Sequence, residues 1–476
     1  MIQLRPYQEK LVNSLRQSMR LGNKKIVLSA PTGAGKTIMF TYMIKRHLDK
    51  GGRALVFTHR KELLTQAGGT FEKFGLTPEL ITAGSKPDLT KALHVSMIET
   101  FDRRKDAYSL FLSNKTLIVI DEAHLNTFTK VFDYISKDTI VIGATATPYR
   151  KGKTIPPLSD FYQDLVQDID VPELLDLGYL ATPKTYGVKI DLSKAKKKGD
   201  DYDVSEVYEE NKMWHGVVKN WKRLTPNTKT ILFSSNVENS KKVCSEFVSQ
   251  GFDAKHIDGN TPKKEREEIL KWYSTAGAKI ICNCGILNAG FDQPDIETVI
   301  LYRATTSLPL YLQMIGRGSR VTETKKEFNI LDFGNNVHRL NFWEEPRTWS
   351  LQNDNKKSKK EDAGIVKECP ECMAMLPSAK QECNYCGYVF KKSEEEKEDE
   401  LIAELQLLPK RNKLQAAKGK SNKMLAKMAK AKVISPYWVL HNKTNLEDAR
   451  DFCKCMGYKM PAFEYMNKNR FQIFRQ

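Results

Sequence analysis

Eight residues near the amino end, Ala30-Pro31-Thr32-Gly33-Ala34-Gly35-Lys36-Thr37, have the types and spacing of a loop that holds phosphates. The apolar run Ile26-Val27-Leu28 precedes them and a helical pattern from Ile38 to Leu48 follows, so the loop joins a strand to a helix. Gly33 and Gly35 permit close backbone approach, and the amides of the loop and of the helix N-terminus face the phosphates. Lys36 then reaches the β- and γ-phosphates, and Thr37 offers a hydroxyl to Mg2+. Ala30 stands where the strictest form of the pattern has glycine. Gly33, Ala34, Gly35, Lys36 and Thr37 are therefore the expected nucleotide-binding residues.

A second apolar run, Leu117-Ile118-Val119-Ile120, delivers Asp121 and Glu122 to the end of a buried strand, with Ala123 and His124 behind them. Asp121 is expected to hold Mg2+ together with Thr37, mostly through water, and Glu122 to orient and deprotonate the attacking water. Far along the chain, Gln313-Met314-Ile315-Gly316-Arg317-Gly318-Ser319-Arg320 carries two guanidinium groups suited to charge on a transferring phosphoryl group. Loop, acidic pair and double-arginine segment are three parts of a phosphoryl-transfer site that closes between two lobes. Upstream, Leu4-Arg5-Pro6-Tyr7-Gln8 places before the first helix an amide, Gln8, that can pair with a donor and an acceptor on adenine. That favours ATP over GTP.

These residues need elements to position them, and the chain supplies two series. Ile26–Leu28, Ala54–Phe57, Leu117–Ile120 and Ile140–Ile142 read as buried parallel strands alternating with helical patterns at 38–48 and 62–74. The same pattern resumes with strands at Ile231–Phe233, Lys279–Cys282, Thr298–Leu301 and Phe328–Leu331, and with helices at 239–250 and 263–273. Residues 150–182 read as the connector. The polar stretch from Leu192 to Tyr202 reads as a surface loop, with a DNA contact as the alternative.

In motif order the chain resembles superfamily 2 helicases over about its first 350 residues. Gln8 is similar to the family's adenine-reading glutamine, Gly33 to Thr37 to motif I, and Thr58-His59-Arg60-Lys61-Glu62-Leu63 to motif Ia. Asp121 to His124 is the DEAH form of motif II, and Gly143-Ala144-Thr145-Ala146-Thr147-Pro148 resembles motif III. Leu232 to Ser235 is similar to motif IV, Gly285 to Pro294 to motif V, and Gln313 to Arg320 to motif VI. The resemblance implies two RecA-like lobes, nucleotide contacts by Gly290 and Asp292, and Arg317 and Arg320 approaching the γ-phosphate. It further implies that His124, Thr145 and Thr147 couple hydrolysis to lobe movement. Arg60, Ser96, Ser234 and Asn288 become candidates for the phosphodiester backbone, contacts that fix position without reading sequence. Gln313 in place of histidine, and His124 in place of aspartate, tilt the expectation toward DNA, with an RNA helicase as the alternative. The stretch from Asp191 to Tyr202 also looks like one in the RadD-type DNA repair helicases, and the motor resembles phage branch-migration helicases and the translocating subunits of restriction enzymes.

Behind the motor, Cys369-Pro370-Glu371-Cys372 and Cys383-Asn384-Tyr385-Cys386 form two knuckles. All-sulfur tetrahedral ligation fits a structural Zn2+ whose binding would fold a segment too small for its own core; a redox dithiol pair is the alternative. Cys244, Cys282, Cys284, Cys453 and Cys455 read as buried or incidental thiols. Lys410 to Lys432 carries nine cations without an intervening acid. With the aromatics Tyr437, Trp438, Tyr458 and Phe463 beyond it, this reads as a small nucleic-acid-binding domain, or else as a solvated basic helix.

The expected organisation is α/β: two RecA-like parallel-sheet lobes in tandem at 1–160 and 170–350, a zinc ribbon at 365–392, and a small basic, mostly helical domain at 400–476. A net charge of +18 over 476 residues suits a polyanion such as single-stranded or branched DNA. The amino end lacks an apolar signal core and no run reaches the roughly 18 apolar residues of a membrane span, so an intracellular, cytoplasmic chain without a membrane partner is expected. The expected activity is an ATP- and Mg2+-dependent DNA helicase or translocase of repair, recombination or replication. A nucleic-acid-binding scaffold switched by ATP is the reading from another class.

Overall fold

A computed structural model describes residues 3–58, 71–82, 84, 86–112, 116–150, 155–187, 195–198, 201–204, 207–208, 213–288, 291–352, 366–390, 417–434, 436–441, 443 and 446–457. The chain divides into two compact units, 1–380 and 381–476.

The first lobe is built on strands β1 (Lys25–Ser29), β2 (Arg53–Thr58), β3 (Glu79–Ile81), β4 (Leu93–Met97), β5 (Thr116–Asp121), β6 (Ile140–Thr145) and β7 (Asp164–Val166). They pair in the order β3-β4-β2-β5-β6-β1-β7, and every pair is parallel. Parallel strands need both faces covered, so their central members read as unbroken apolar runs. Helix α1 (Pro6–Arg20) has proline at its first position, where no backbone N–H is required, and buries Leu11, Val12 and Leu15. Helix α2 (Lys36–Leu48) follows the phosphate loop and buries Met39, Phe40 and Ile44.

The second lobe repeats the plan with β8 (Thr182–Gly187), then β11 (Thr230–Ser234), β12 (Ala254–Ile257), β13 (Ile280–Asn283), β14 (Thr298–Tyr302) and β15 (Glu327–Asp332), after a small hairpin of β9 (Lys196–Lys198) and β10 (Asp201–Asp203). The six-stranded sheet runs β12-β13-β11-β14-β15-β8. Cross-sheet packing is helped by Tyr208, whose ring stacks on Tyr302 at 4.3 Å.

Two expectations need correction. The stretch 192–202 includes the β9–β10 hairpin, anchored where Arg303 Nε donates to Asp201 at 3.1 Å and Tyr202 N to Ala304 O at 2.9 Å. A bidentate guanidinium and a backbone bond outweigh the solvation of this polar sequence. The connector 150–182 contributes an edge strand, β7, held against β1. The helical pattern at 62–74 lies mostly outside the described residues.

After β15 the chain returns to the first lobe as a strap. Arg347 gathers the carbonyls of Phe342, Trp343, Glu345 and Leu340 at 2.7 to 3.1 Å. Gln167 of the first lobe donates to Arg347 O at 2.9 Å and accepts from Trp349 N at 3.3 Å. The hairpin β16 (Val366–Glu368) and β17 (Met375–Pro377) then packs on the second lobe, with Met375 buried beside Val337 and Phe342. Met375 lies over Gly187: a Cβ there would come within 2.1 Å of its Sδ, so a larger residue would have to displace the methionine.

In the second unit the helices Asn422–Lys430, Pro436–His441 and Leu446–Met456 share a small core of Met424, Leu425, Met428, Val439, Phe452 and Cys453. Ser421 caps the first of them through Met424 N. Its cations Lys418, Lys420, Lys423, Lys430 and Lys432 are exposed while Leu425 and Met428 are buried. Residues 401–416 and 458–476, and with them Lys410, Lys413, Tyr458 and Phe463, lie outside the described residues.

Candidate nucleotide and metal sites

The phosphate loop leaves β1 at Ser29 and enters α2 at Lys36. Gly33 and Gly35 have φ of 89° and 76°, the left-handed region that glycine adopts without strain. A side chain at either would also clash, within 2.8 Å of Leu180 at Gly33 and 2.6 Å of Gln8 at Gly35. No side chain caps the first turn of α2 and none of its residues there is acidic, so its amides and positive dipole end suit an anion. Ala34 is buried within the loop. Lys36 donates to Ala30 O at 3.0 Å and Pro31 O at 3.2 Å, beside Thr37. Burial pushes the Lys36 ammonium below its ordinary range, with Glu122 and Asp121 pulling it up and Arg317 and Arg320 pushing it down. Those four side chains therefore share one electrostatic neighbourhood with Lys36.

Gln8 ties α1 to the loop. Its amide nitrogen donates to Ala34 O at 3.1 Å, and its amide oxygen accepts from Arg5 N at 3.0 Å. Tyr7 adds a second bond to Ala34 O at 2.9 Å.

Asp121 ends β5 and Glu122 follows with φ of 54°, in the left-handed region. A non-glycine residue there costs of order 1 kcal/mol and is kept only where its surroundings over-determine it. Burial first, and the like charge of Glu122 second, push the Asp121 carboxyl up to about 7. A buried carboxyl raised in this way has the donor chemistry for a hard cation, with the Thr37 hydroxyl as the matching oxygen. Glu122 Oε2 is buried without a hydrogen bond, 3.4 Å from His124 Nδ1. Its other oxygen accepts from Gln313 Nε2 at 3.3 Å. That bond crosses from the second lobe to the first.

His124 Nδ1 lies 2.8 Å from Thr145 Oγ1, and Thr147 N donates to the same oxygen at 3.1 Å, so the acidic box and the Thr145–Thr147 segment are directly linked. Burial lowers the His124 pKa below the usual imidazole value, which favours the neutral ring. Sequence reasoning passed over Arg150. Its guanidinium donates to His124 O at 3.0 Å, Ala123 O at 3.2 Å and Leu125 O at 3.3 Å, bracing the turn behind Glu122. The signal was its place directly after Thr147-Pro148-Tyr149, obscured by the neighbouring cations Lys151 and Lys153.

The two arginines differ from the expected γ-phosphate approach in what they touch. Arg317 donates to Phe291 O at 2.7 Å and Asn288 O at 2.8 Å, and Arg320 pairs with Asp292. Asp292 is thus an arginine partner in this arrangement, and Gly290 lies outside the described residues. A Cβ on Gly316 would meet Thr32 at 2.6 Å, so the arginine turn lies against the phosphate loop.

Of the nucleic-acid candidates, Ser96 and Ser234 stand at the carboxyl ends of β4 and β11, where open parallel sheets bind ligands. Ser96 spends its hydroxyl on Met97 O at 2.9 Å, whereas Ser234 Oγ and Asn288 Oδ1 are buried without a hydrogen bond. Arg60 lies outside the described residues. Cys369, Cys372, Cys383 and Cys386 gather so that their ligand atoms all lie within 4.8 Å of one another. Four sulfurs at that spacing suit tetrahedral Zn2+, whose bonds to sulfur are about 2.3 Å. Each knuckle turns on backbone bonds to its first cysteine: Met373 N to Cys369 O at 2.8 Å, and Gly387 N to Cys383 O at 2.9 Å. Among the described residues no helix is long and apolar enough to cross a membrane.

Residues 1–150 match the family "Type III restriction enzyme, res subunit", residues 216–322 the "Helicase conserved C-terminal domain", and residues 367–392 the uncharacterised protein family UPF0547. A 51.5 kDa protein of a Lactococcus phage is 31% identical over 395 residues, covering 81% of this chain and 82% of its own length. A protein of Saccharomyces cerevisiae named as an ATP-dependent helicase, IRC3, is 30% identical over 69% of this chain. A Schizosaccharomyces pombe protein named as a mitochondrial ATP-dependent helicase, irc3, is 28% identical over 74% of it. The chain spans 51% and 61% of those two yeast proteins. Among solved structures, a fragment of an HsdR subunit of a type I restriction enzyme from Vibrio vulnificus shares the fold at a TM-score of 0.55 and 21% identity, over 70% of this chain and 65% of that one. The Type ISP restriction-modification enzyme LlaBIII, bound to DNA, does so at 0.53 and 18%, over 69% and 27%. A phage relative 31% identical across four-fifths of both chains, a restriction-enzyme res-subunit match on the first lobe, a helicase C-terminal match on the second and the two yeast relatives together put this chain in superfamily 2 of the ATP-dependent helicases, as an ATP-hydrolysing member.

Proposed function

We propose that this helicase is a DNA motor that moves along, and separates or remodels, single-stranded or branched DNA in repair, recombination or replication. The observation that carries the motor reading is Gln313 of the second lobe bonded at 3.3 Å to Glu122 of the first. The water-activating carboxylate is then complete only when the lobes meet, so each hydrolysis is tied to lobe movement. In this reading Glu122 takes the proton of the attacking water, and Arg317 and Arg320 exchange their present partners for the charge on the γ-phosphate. Mg2+, held by Asp121 and Thr37, would supply charge neutralisation on the phosphate oxygens. His124, Thr145 and Thr147 pass the change from the acidic box to the strand groove.

DNA is favoured over RNA by Gln313 and His124, by the +18 charge, and by a fold neighbour whose structure holds DNA. Exposed Lys418, Lys420, Lys423, Lys430 and Lys432 of the second unit supply a salt-sensitive grip.

Lys36→Ala tests the motor. It is expected to bind forked DNA as the parent does, to lose strand displacement, and to hydrolyse ATP roughly 100-fold more slowly. Substrates should include forks, four-way junctions, 3′ and 5′ tails and RNA hybrids. Hydrolysis by the parent without displacement or translocation on any of them favours the ATP-switched scaffold, and preference for the hybrids or RNA favours an RNA helicase.

Because the Asp121 proton is held up to about 7, its contribution to the stability of the metal-free fold is complete below the ordinary 3.8 and is lost as pH rises through about 7. Mg2+ must displace that proton, so its apparent affinity should rise by up to about tenfold per pH unit below 7 and level off above it. Calorimetric titration of Mg2+ into the ATP complex reads this directly, and a flat profile between pH 6 and 7.5 counts against Asp121 as the metal's carboxylate.

A further inference from the structure

Lys325 is only 6% exposed, and its ammonium is bonded to main chain: Nζ donates to Ile296 O at 2.7 Å and to Gly318 O at 2.8 Å. A tight turn aims it inward, with Lys325 N donating to Thr322 Oγ1 at 3.0 Å and Thr322 N to Lys325 O at 3.1 Å. Both acceptors matter by position. Gly318 lies between Arg317 and Arg320, at the centre of the turn that carries them. Ile296 closes the segment whose earlier members hold those arginines: Asn288 O and Phe291 O accept from Arg317, and Asp292 pairs with Arg320.

The rest of the turn is fixed by neutral contacts. Ser319 O accepts from Ala181 N at 2.7 Å, and Gly316 O from Ser319 Oγ at 2.9 Å. A Cβ on Gly318 would come within 2.4 Å of Phe328, so the turn rests directly on the sheet. Gly318 O is held by the Lys325 side-chain nitrogen, which has protons to donate to both carbonyls whether it is charged or neutral.

We infer that Lys325 is a positioning residue for ATP hydrolysis: its buried ammonium ties the carbonyl of Gly318 to that of Ile296 and so sets where Arg317 and Arg320 can reach. This rests on the reading of those arginines as the pair that meets the γ-phosphate. A lysine kept only for packing would be a poor choice here. Burial pushes its ammonium down to about 7, Asp295 and Glu297 pull it up, and Arg320 pushes it down again. A lowered lysine pKa means that the fold favours the neutral amine, so this group costs stability at and below neutral pH and the cost fades as pH rises toward 10.5. An apolar side chain of similar length should therefore leave the fold at least as stable while releasing the turn.

Lys325→Met in the full chain tests this against Arg320→Ala and the double variant, with ATP hydrolysis measured with and without single-stranded DNA. The expected result is a fall in kcat of roughly 30-fold, under the roughly 100-fold that a 1 Å misplacement can cost, with KM for ATP within about threefold of the parent. The thermal midpoint should be unchanged or higher. The double variant should be no slower than Arg320→Ala alone, because the two residues act through one geometry. The inference is overturned if Lys325→Met keeps kcat within about threefold, if its loss multiplies with that of Arg320→Ala, or if kcat and the thermal midpoint fall together. Should Arg320→Ala collapse kcat while Lys325→Met does not, this inference alone fails. Should Arg320→Ala leave kcat unchanged, the reading of the arginines fails first and takes the inference with it.

Discussion

Glu122→Gln should lower the rate of ATP hydrolysis by roughly 10³-fold while leaving ATP binding in place, because a positioned general base is worth about 10² to 10⁴. The substitution is the sharpest available because it changes so little else. Glutamine has the same length, and its amide oxygen can still accept from Gln313 Nε2, which now reaches Glu122 Oε1 at 3.3 Å. The left-handed backbone at φ of 54° is equally uncomfortable for both residues. Arg150 braces the carbonyls of the turn, not the side chain, so that support persists. What disappears is the negative charge. One consequence separates chemistry from damage: Glu122 is the second cause of the raised Asp121 carboxyl, so removing its charge should let Asp121 ionise at lower pH. The pH at which Mg2+ affinity levels off should accordingly be lower in Glu122→Gln than in the parent, even as hydrolysis collapses. Single-turnover hydrolysis beside a Mg2+ titration reads both. Hydrolysis within tenfold of the parent would remove Glu122 from the role of base.

Such a prediction could be framed from the sequence because the parts of the site that lie close together along the chain announce themselves. The strands that carry them, β1, β5, β6 and β14, are short unbroken apolar runs, as burial on both faces requires. The strands that were missed lack that signature for identifiable reasons. β4 reads Leu-His-Val-Ser-Met, and its polar members are buried all the same: His94 is fully buried, 4.5 Å from the ring of Phe111, with Nε2 3.0 Å from Asp88 O. β8 carries Pro183 and Lys184, which an edge strand tolerates and a central one does not. β7 has three residues and is fixed by a contact 146 residues away, between Asp164 and Ser18. The hairpin β9–β10 is written in charges, and what holds it, Arg303 on Asp201, is 102 residues distant. The same distinction governs the site. Lys36, Asp121 and the arginines sit in local patterns, whereas the bond from Gln313 to Glu122 joins residues 191 apart and no spacing rule reports it. Arg150 and Lys325 were invisible for a related reason: each serves by donating to backbone carbonyls, and a carbonyl carries no side-chain signature.

Replacing Cys369 and Cys372 together by serine should abolish zinc binding and unfold the ribbon, while hydrolysis of ATP stays within about threefold of the parent. The size of the first effect follows from the scale of the segment. Apparent metal-binding free energies in zinc-finger peptides are about 10 to 16 kcal/mol, far more than a two-stranded hairpin gains by itself. Apart from Met375 and Leu376, which pack outward from the hairpin strand, the first knuckle buries little beyond Ala374 and Cys369 itself. The second effect follows from where the ribbon is seated. Its first hairpin rests on Gly187 at the carboxyl end of edge strand β8, through Met375. The opposite end of β8 is the one tied to the arginine turn, since Ala181 N holds Ser319 O at 2.7 Å and Leu180 bridges to Arg320 just before the strand begins. Losing the hairpin uncovers Val337 and Phe342 but leaves that end paired, so the cost should appear as exposed apolar surface and lower solubility before it appears in kcat. Metal analysis of the purified chains, limited proteolysis across 366–390 and an ATPase assay decide between the outcomes. Full zinc content in the double variant would show that the cysteines are not its ligands, and thiol–disulfide cycling in a zinc-free parent would make them a redox pair instead. Collapse of hydrolysis would mean that the ribbon supports the motor through β8, and Gly187→Val, which displaces Met375 without touching a cysteine, would then have to reproduce the loss.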